Sequence, residues 1–144
     1  MARYSSGMTA AGAGTSVRPI FAVVGSAALT IQLREISLWN TTAVACTYRL
    51  VAFTGGTAGT AQTMRKWRRN SLGSNAIASG LWVADATIVE DCGERMVLGA
   101  AIGSAAILTF GGDGIESTIG TGSGLGLVPV GTGQVCEVKF TWDE

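Results

Sequence analysis

The sequence predicts an all-β protein: an antiparallel β-sandwich, jelly-roll-like, with an extended N-terminal arm and at most one short helix. Three observations predict it. Apolar and polar residues alternate with a period of two through most of the 144-residue chain. Glycine-rich turns divide the alternating runs, and no sustained helical stripe interrupts them. Many short strands separated by such turns belong to sandwiches and barrels, and about eight strands in a chain of this length favour a jelly roll. No period of about 20 to 50 residues recurs, which removes solenoids and propellers.

The elements follow in order. Residues 1–17 contain little that builds a core: the stretch ARYSSGMTAAGAGTS is Gly, Ala, Ser and Thr with a few larger side chains. It is expected as an extended arm, held in a groove of its own domain or on a neighbouring subunit, and removable without loss of the fold. Arg3, Tyr4 and Met8 are its candidate contact residues. Residues 18–144 are expected as one sandwich domain. Leu29 to Leu33 alternates cleanly, then resumes one position out of phase at Ile36 and Leu38, which requires a β-bulge near Arg34 and Glu35. After a turn at Asn40 and Thr41, residues 42–53 place Val44, Cys46, Tyr48 and Leu50 on one face and Thr47 and Arg49 on the other. Gly55 to Gly59 closes that strand. The segment TAQTMRKWRRNSL, residues 60–72, fits a helical stripe only loosely, so a single helical turn or an ordered loop is expected there. Short strands are expected at 87–89, 95–98, 106–110 and 125–130, with turns at DCGE, GSA and GGDG. In the last run, residues 134–142, Cys136, Val138, Phe140 and Trp142 face inward while Glu137, Lys139 and Thr141 face outward. Trp39 and Trp142 are both expected in the core.

Composition bounds the function. Charged residues are 14% of the chain, against about 25% in an ordinary soluble domain, while mean hydropathy is +0.37. With so few charges, surface must be left apolar, and burial against other subunits is its simplest use. Ten cationic and ten anionic side chains cancel, so no global field draws the chain to nucleic acid or to a membrane. Cys46, Cys92 and Cys136 are widely spaced and odd in number, and histidine is absent, so neither a disulfide framework nor a zinc site is expected. The longest apolar stretch, residues 97–110, is too short and too broken to span a bilayer. Ile20 to Leu29 imitates a signal-peptide core, but alternating strand sequence continues directly past it.

Candidate chemistry is sparse. The stretch GTGSGLGLVPVGTG, residues 120–133, places glycine at every second position from Gly120 to Gly126. A dinucleotide fingerprint needs such glycines between a strand and a helix, and here a proline-bearing strand follows; a phosphate loop needs a Gly-Lys pair, which the chain lacks. The glycines are therefore expected where backbones approach closely. Glu90, Asp91, Glu94, Asp113 and Glu116 lack the spacing of a calcium loop and read as turn acids, available to the arginines of an adjacent subunit. Without histidine there is no ordinary triad base, and no carboxylate pair is marked out, so no catalytic residue, cofactor or metal is expected. The second polar group is the basic cluster RKWRR: Arg65, Lys66, Arg68 and Arg69 flank Trp67. Arg and Trp in one loop fit a protein interface first, a solvated loop second and a nucleic-acid contact third.

A resemblance carries this reading further. The segments LWNTTAVACTYRLVAFT (38–54), LGAAIGSAAILTFGGDGI (98–115) and GLGLVPVGTGQVCEVKFTWDE (124–144) resemble small β-rich structural proteins of tailed-bacteriophage virions. The resemblance implies a capsid decoration or cement subunit, a homotrimer seated between capsomers on the major capsid protein or other virion proteins, in a virion assembled in the host cytoplasm. A tail or neck adaptor or host-binding knob is the alternative within that class, and a carbohydrate-binding jelly-roll module is the alternative outside it. Residues 57–83 take no part in the resemblance.

Overall fold

The computed structural model of the protein describes residues 1–10, 12–26, 29–117, 120, 122–131 and 133–144. Among these residues are twelve strands: β1 (Arg3–Thr9), β2 (Phe21–Val24), β3 (Gln32–Asn40), β4 (Cys46–Thr54), β5 (Thr60–Ala61), β6 (Arg65–Lys66), β7 (Ile77–Gly80), β8 (Thr87–Leu98), β9 (Ala105–Thr109), β10 (Ile115–Glu116), β11 (Ser123–Pro129) and β12 (Cys136–Asp143). They form two antiparallel sheets facing one another. The first runs β10-β3-β12-β1-β6, with β9 also paired to β3, and the second runs β5-β7-β2-β11-β4-β8.

Eight strands make the sandwich, as β9-β3-β12-β1 against β8-β4-β11-β2. The chain crosses between sheets at β1, β2, β3 and β4, turns back, and crosses again at β8, β9, β11 and β12, which is a jelly-roll path. Its geometry is that of one nested hairpin. Arg3 faces Asp143, Phe21 faces Leu127, Glu35 faces Thr109 and Arg49 faces Arg95, each pair nearly equidistant from the middle of the chain. The remaining strands, β5 to β7, belong to the long connection between β4 and β8. That connection covers one lateral edge of the sandwich, adding β6 beside β1 and β7 with β5 beside β2.

Alternation decides what is buried. Cys136, Val138, Phe140 and Trp142 all face the core, as their spacing requires. Tyr4 lies beside Trp142 with ring centres 6.2 Å apart, and Phe140 meets Phe21 of the opposite sheet edge-on at 5.1 Å. The expected bulge is present: Thr141 faces Glu35 but Trp142 faces Leu33, so Arg34 is the extra residue and both Leu33 and Ile36 reach the core. A smaller apolar cluster lies on the outer face of the second sheet, where Ala22, Val24 and Phe53 are covered by Trp82 and Ala86. Glycine makes this cover fit, because a Cβ on Gly126 would lie 3.0 Å from the Pro19 ring and 3.1 Å from that of Phe53. The glycine run thus marks a close approach. Thr121 and Thr132 within it, and Ala27 and Ala28 of the signal-like run, lie outside the described residues.

Four expectations are corrected. The arm is a strand: β1 pairs with β12 over its whole length and carries β6 on its other side, because its alternate residues Tyr4, Ser6 and Met8 face inward. The division at residue 17 therefore does not separate an arm from a domain. Residues 60–72 form two short strands and a loop in place of a helical turn. The turn expected at Asp91 to Glu94 is a bulge inside the single strand β8, where Cys92, Gly93 and Glu94 together oppose Leu50. Gly93 has φ of +81°, which gives the extra residues their bend. Finally, Trp39 lies on the outward face of β3, since its neighbours Leu38 and Asn40 are the buried ones.

Candidate interaction surfaces

The basic loop stands on the edge strand β6. Tyr4 Oη donates to the Leu72 carbonyl at 2.9 Å, Lys66 Nζ donates to the Ser71 carbonyl at 2.7 Å, and the Trp67 amide donates to the Arg3 carbonyl at 3.0 Å. These bonds hold residues 67–72 against β1. Arg65, Lys66, Trp67, Arg68 and Arg69 are all exposed, with 57% of Trp67 open to solvent. Arg3 of the expected arm does meet this loop, its guanidinium 5.7 Å from the Trp67 ring centre. Tyr4 and Met8 face inward. Tyr4 is buried in the core, and Met8 packs beneath Gly80, where a Cβ would lie 1.7 Å from the Met8 sulfur.

Beside the loop is a buried carboxylate. Asp143 accepts from Arg3 Nε at 2.7 Å and Arg3 Nη2 at 2.9 Å, and from Arg34 Nε at 2.7 Å. Arg3's hydrogen bonds, followed by those of Arg34, hold its carboxyl below the ordinary value even though burial opposes that. Together Arg3, Trp67, Arg68 and Asp143 line a depression of about 380 Å³.

The opposite lateral edge, β8, is acidic. Asp91 is committed internally, since Arg95 grips both its oxygens at 2.8 Å, the Gly93 amide donates at 3.0 Å and Arg49 joins at 3.0 Å. That set holds its carboxyl far below the ordinary range, Arg95 first. Asp91 is thus not free for another subunit's arginines. Glu90 and Glu94 have no ion pair among the described residues. Between them and the end of β8 stands an apolar row. Val97 faces Thr47, whose carbonyl accepts the Val130 amide on its other side, and 68% of Val97 and 45% of Val130 are exposed.

Asn40 fixes the loops at this end. Its side-chain amide donates to the carbonyls of Val44 at 2.7 Å and Gly99 at 2.9 Å, and its side-chain oxygen accepts from the Thr42 amide at 3.0 Å. Its backbone bonds Ser104 and Gly103. No charged residue occurs between Met96 and Gly112 or between Ser117 and Cys136, so the surface built from these segments is neutral.

Elsewhere, Cys46 and Cys136 are buried and Cys92 is partly buried, all as free thiols. Burial pushes the Cys136 thiol up to about 12. No group of metal-ligating side chains occurs among the described residues. Among the described residues no helix is long and apolar enough to cross a membrane. No known protein family, curated protein or solved structure matches the chain.

Proposed function

We propose that the protein is a structural virion subunit of the capsid-decoration type. In this reading it associates head-to-tail into a homotrimer, seats on the major capsid protein by protein contacts, and catalyses nothing. The observation that carries the reading is the opposition of two unlike lateral edges. Cations elsewhere in the chain are mostly spent in ion pairs: Arg3, Arg18, Arg34, Arg49 and Arg95 each hold a carboxylate. Arg65, Arg68 and Arg69 hold none among the described residues. These unspent cations surround an exposed Trp67 on one edge, while unspent Glu90 and Glu94 lie between exposed Val89 and Val97 on the other.

Unlike patches on opposite edges make a heterologous contact, which closes into a ring when the rotation between copies permits. Trp67 supplies the apolar anchor and the arginines supply bidentate pairing with carboxylates. Rings of this kind present the neutral loop end around Asn40 as a second surface, suited to the shell. The resemblance of residues 38–54, 98–115 and 124–144 to phage structural proteins supports the same assignment.

The test is charge reversal with light scattering after gel filtration. The unmodified protein should elute as a trimer and Arg68→Glu with Arg69→Glu as a monomer. Combining that pair with Glu90→Lys and Glu94→Lys in one chain should restore the trimer. An unmodified protein that stays monomeric at high concentration, or a reversal without effect, would contradict the ring.

A further inference from the structure

The outer face of the first sheet carries a trough that shares Arg65 with the proposed ring contact and otherwise lies outside it. Along β12 the outward residues are Glu137, Lys139, Thr141 and Asp143, and along β3 they include Ser37 and Trp39. Trp39 faces Glu137 directly across the strand pair, and Lys139 lies between Ser37 and Gly7. Two depressions meet at Trp39. One, of about 510 Å³, crosses β1 to reach Thr63 and Arg65, and the other, of about 370 Å³, reaches Thr41 and Ile102. Both are lined by Trp39 and Glu137, so they form one elongated trough with the indole in the middle.

Its chemistry is uncommitted. Glu137, Lys139 and Arg65 have no ion pair among the described residues, and the Trp39 indole has no hydrogen-bond partner among them. The floor is kept low at Gly7, where a Cβ would lie 2.5 Å from the Val138 carbonyl oxygen. The larger depression falls within the roughly 300–1,000 Å³ typical of small-molecule sites.

These features select among ligands. A nucleic-acid strand is disfavoured because the Glu137 carboxylate stands in both halves of the trough, where phosphates would run. An added peptide strand is disfavoured because the trough crosses a sheet face whose backbone groups are already paired. What remains is a ligand with apolar ring faces and a hydroxylated rim, long enough to pass on both sides of one indole. We propose that the trough binds an oligosaccharide, with one pyranose ring stacked on Trp39 and its hydroxyls bonded by Glu137, Lys139 and Arg65. This inference is independent of where on a particle the protein sits.

The experiment is a screen of the full chain on a microarray of bacterial and animal glycans, with chitohexaose, cellohexaose, maltohexaose and mannohexaose titrated in solution. Amide resonances are followed throughout. At least one glycan should bind and shift the amides of Gly7, Trp39 and Lys139. Trp39→Ala should weaken that binding at least about tenfold, a loss of about 1.4 kcal/mol. Trp39→Phe should retain most of it, and Val83→Ala, at an exposed residue outside the trough, should leave it unchanged. Glu137→Gln provides a second variant should Trp39→Ala lower the unfolding midpoint. Absence of binding across the array and all four hexasaccharides would overturn the inference, as would binding that Trp39→Ala and Glu137→Gln leave intact.

Discussion

Asp143 is the residue on which the join between the chain's two ends depends. It is 5% exposed and is held by two arginines, Arg3 from β1 and Arg34 from the bulge of β3. Removing one partner of a buried ion pair typically costs about 3–5 kcal/mol, and Arg3 keeps enough solvent access to reduce that. Asp143→Asn should therefore cost about 2–3 kcal/mol in urea unfolding. The sign of its pH dependence follows from its lowered folded-state value. Folding favours the carboxylate, so the contribution is complete above the unfolded value of 3.8 and is lost as pH falls through the folded one. Asp143→Asn should remove that part of the acid limb. A second residue-scale test concerns Gly80, where an added Cβ meets the Met8 sulfur. Gly80→Ala should destabilise by about 1–3 kcal/mol through overpacking, and Met8→Ala in the same chain should cost less than the two changes summed. Little of this was legible in the sequence. The partners of Asp143 are separated from it by 140 and 109 positions, and nothing local marks them. Trp39 departs from expectation for a different reason: a large aromatic ring suggests the core by its type alone, although the bulge at Arg34 gives the inward positions to Ile36 and Leu38 and so turns Trp39 outward.

At the scale of elements, the nested pairing changes what the N-terminal segment is. β1 bonds β12 from Arg3 to Thr9 and contributes Tyr4 to the core. Deleting residues 2–16 should leave a chain without cooperative unfolding; a deletion variant with the parent's unfolding midpoint would restore the view of a dispensable arm. The segment was misread because small residues are poor markers of burial: Ser5, Ser6 and Gly7 suit a strand between two others, but carry no alternation of hydropathy. By contrast β12, β4 and the bulged β3 were readable, since each has one wholly buried apolar face. The connection between β4 and β8 was not readable. Its strands β5 and β6 are two residues long, and they exist because β7 and β1 offer open edges to pair with. β8 was split in two because Gly93 signals a turn, whereas the structure uses it to bulge an edge strand. Such irregularity, with Glu90, Asp91, Glu94 and Arg95 along it, discourages edge-to-edge aggregation. The loops pinned by Asn40 form a separate unit. Asn40→Ala should raise hydrogen exchange in residues 41–45 and 99–104 together, while the core of β12 stays protected.

For the whole molecule, the jelly-roll path joins residues far apart in sequence throughout, a topology associated with slow folding. The same burial that holds the sheets together sets an alkaline limit. Cys46, Cys92, Cys136 and Tyr48 all have values raised first by burial. Folding favours their protonated forms, so stability is intact below the ordinary thiol value of 9.0 and falls as pH rises through it. The melting temperature should decline above about pH 9 with all three thiols present, and less steeply when Cys136 is replaced by Ala. Fold class emerged from the sequence because periodicity and turn spacing are local signals. The two proposed interaction edges did not, because their meaning depends on which charges are already paired, and that is decided by the fold. The RKWRR loop shows the difference: its composition marked it for a contact, but only the pairing of the other arginines leaves it as the concentrated free charge. The most direct measurement of the proposed role is the copy number of this chain in purified particles, by quantitative mass spectrometry against the major capsid protein. A decoration subunit should be present in hundreds of copies and in multiples of three; a dozen copies or fewer, or none, would contradict the assignment.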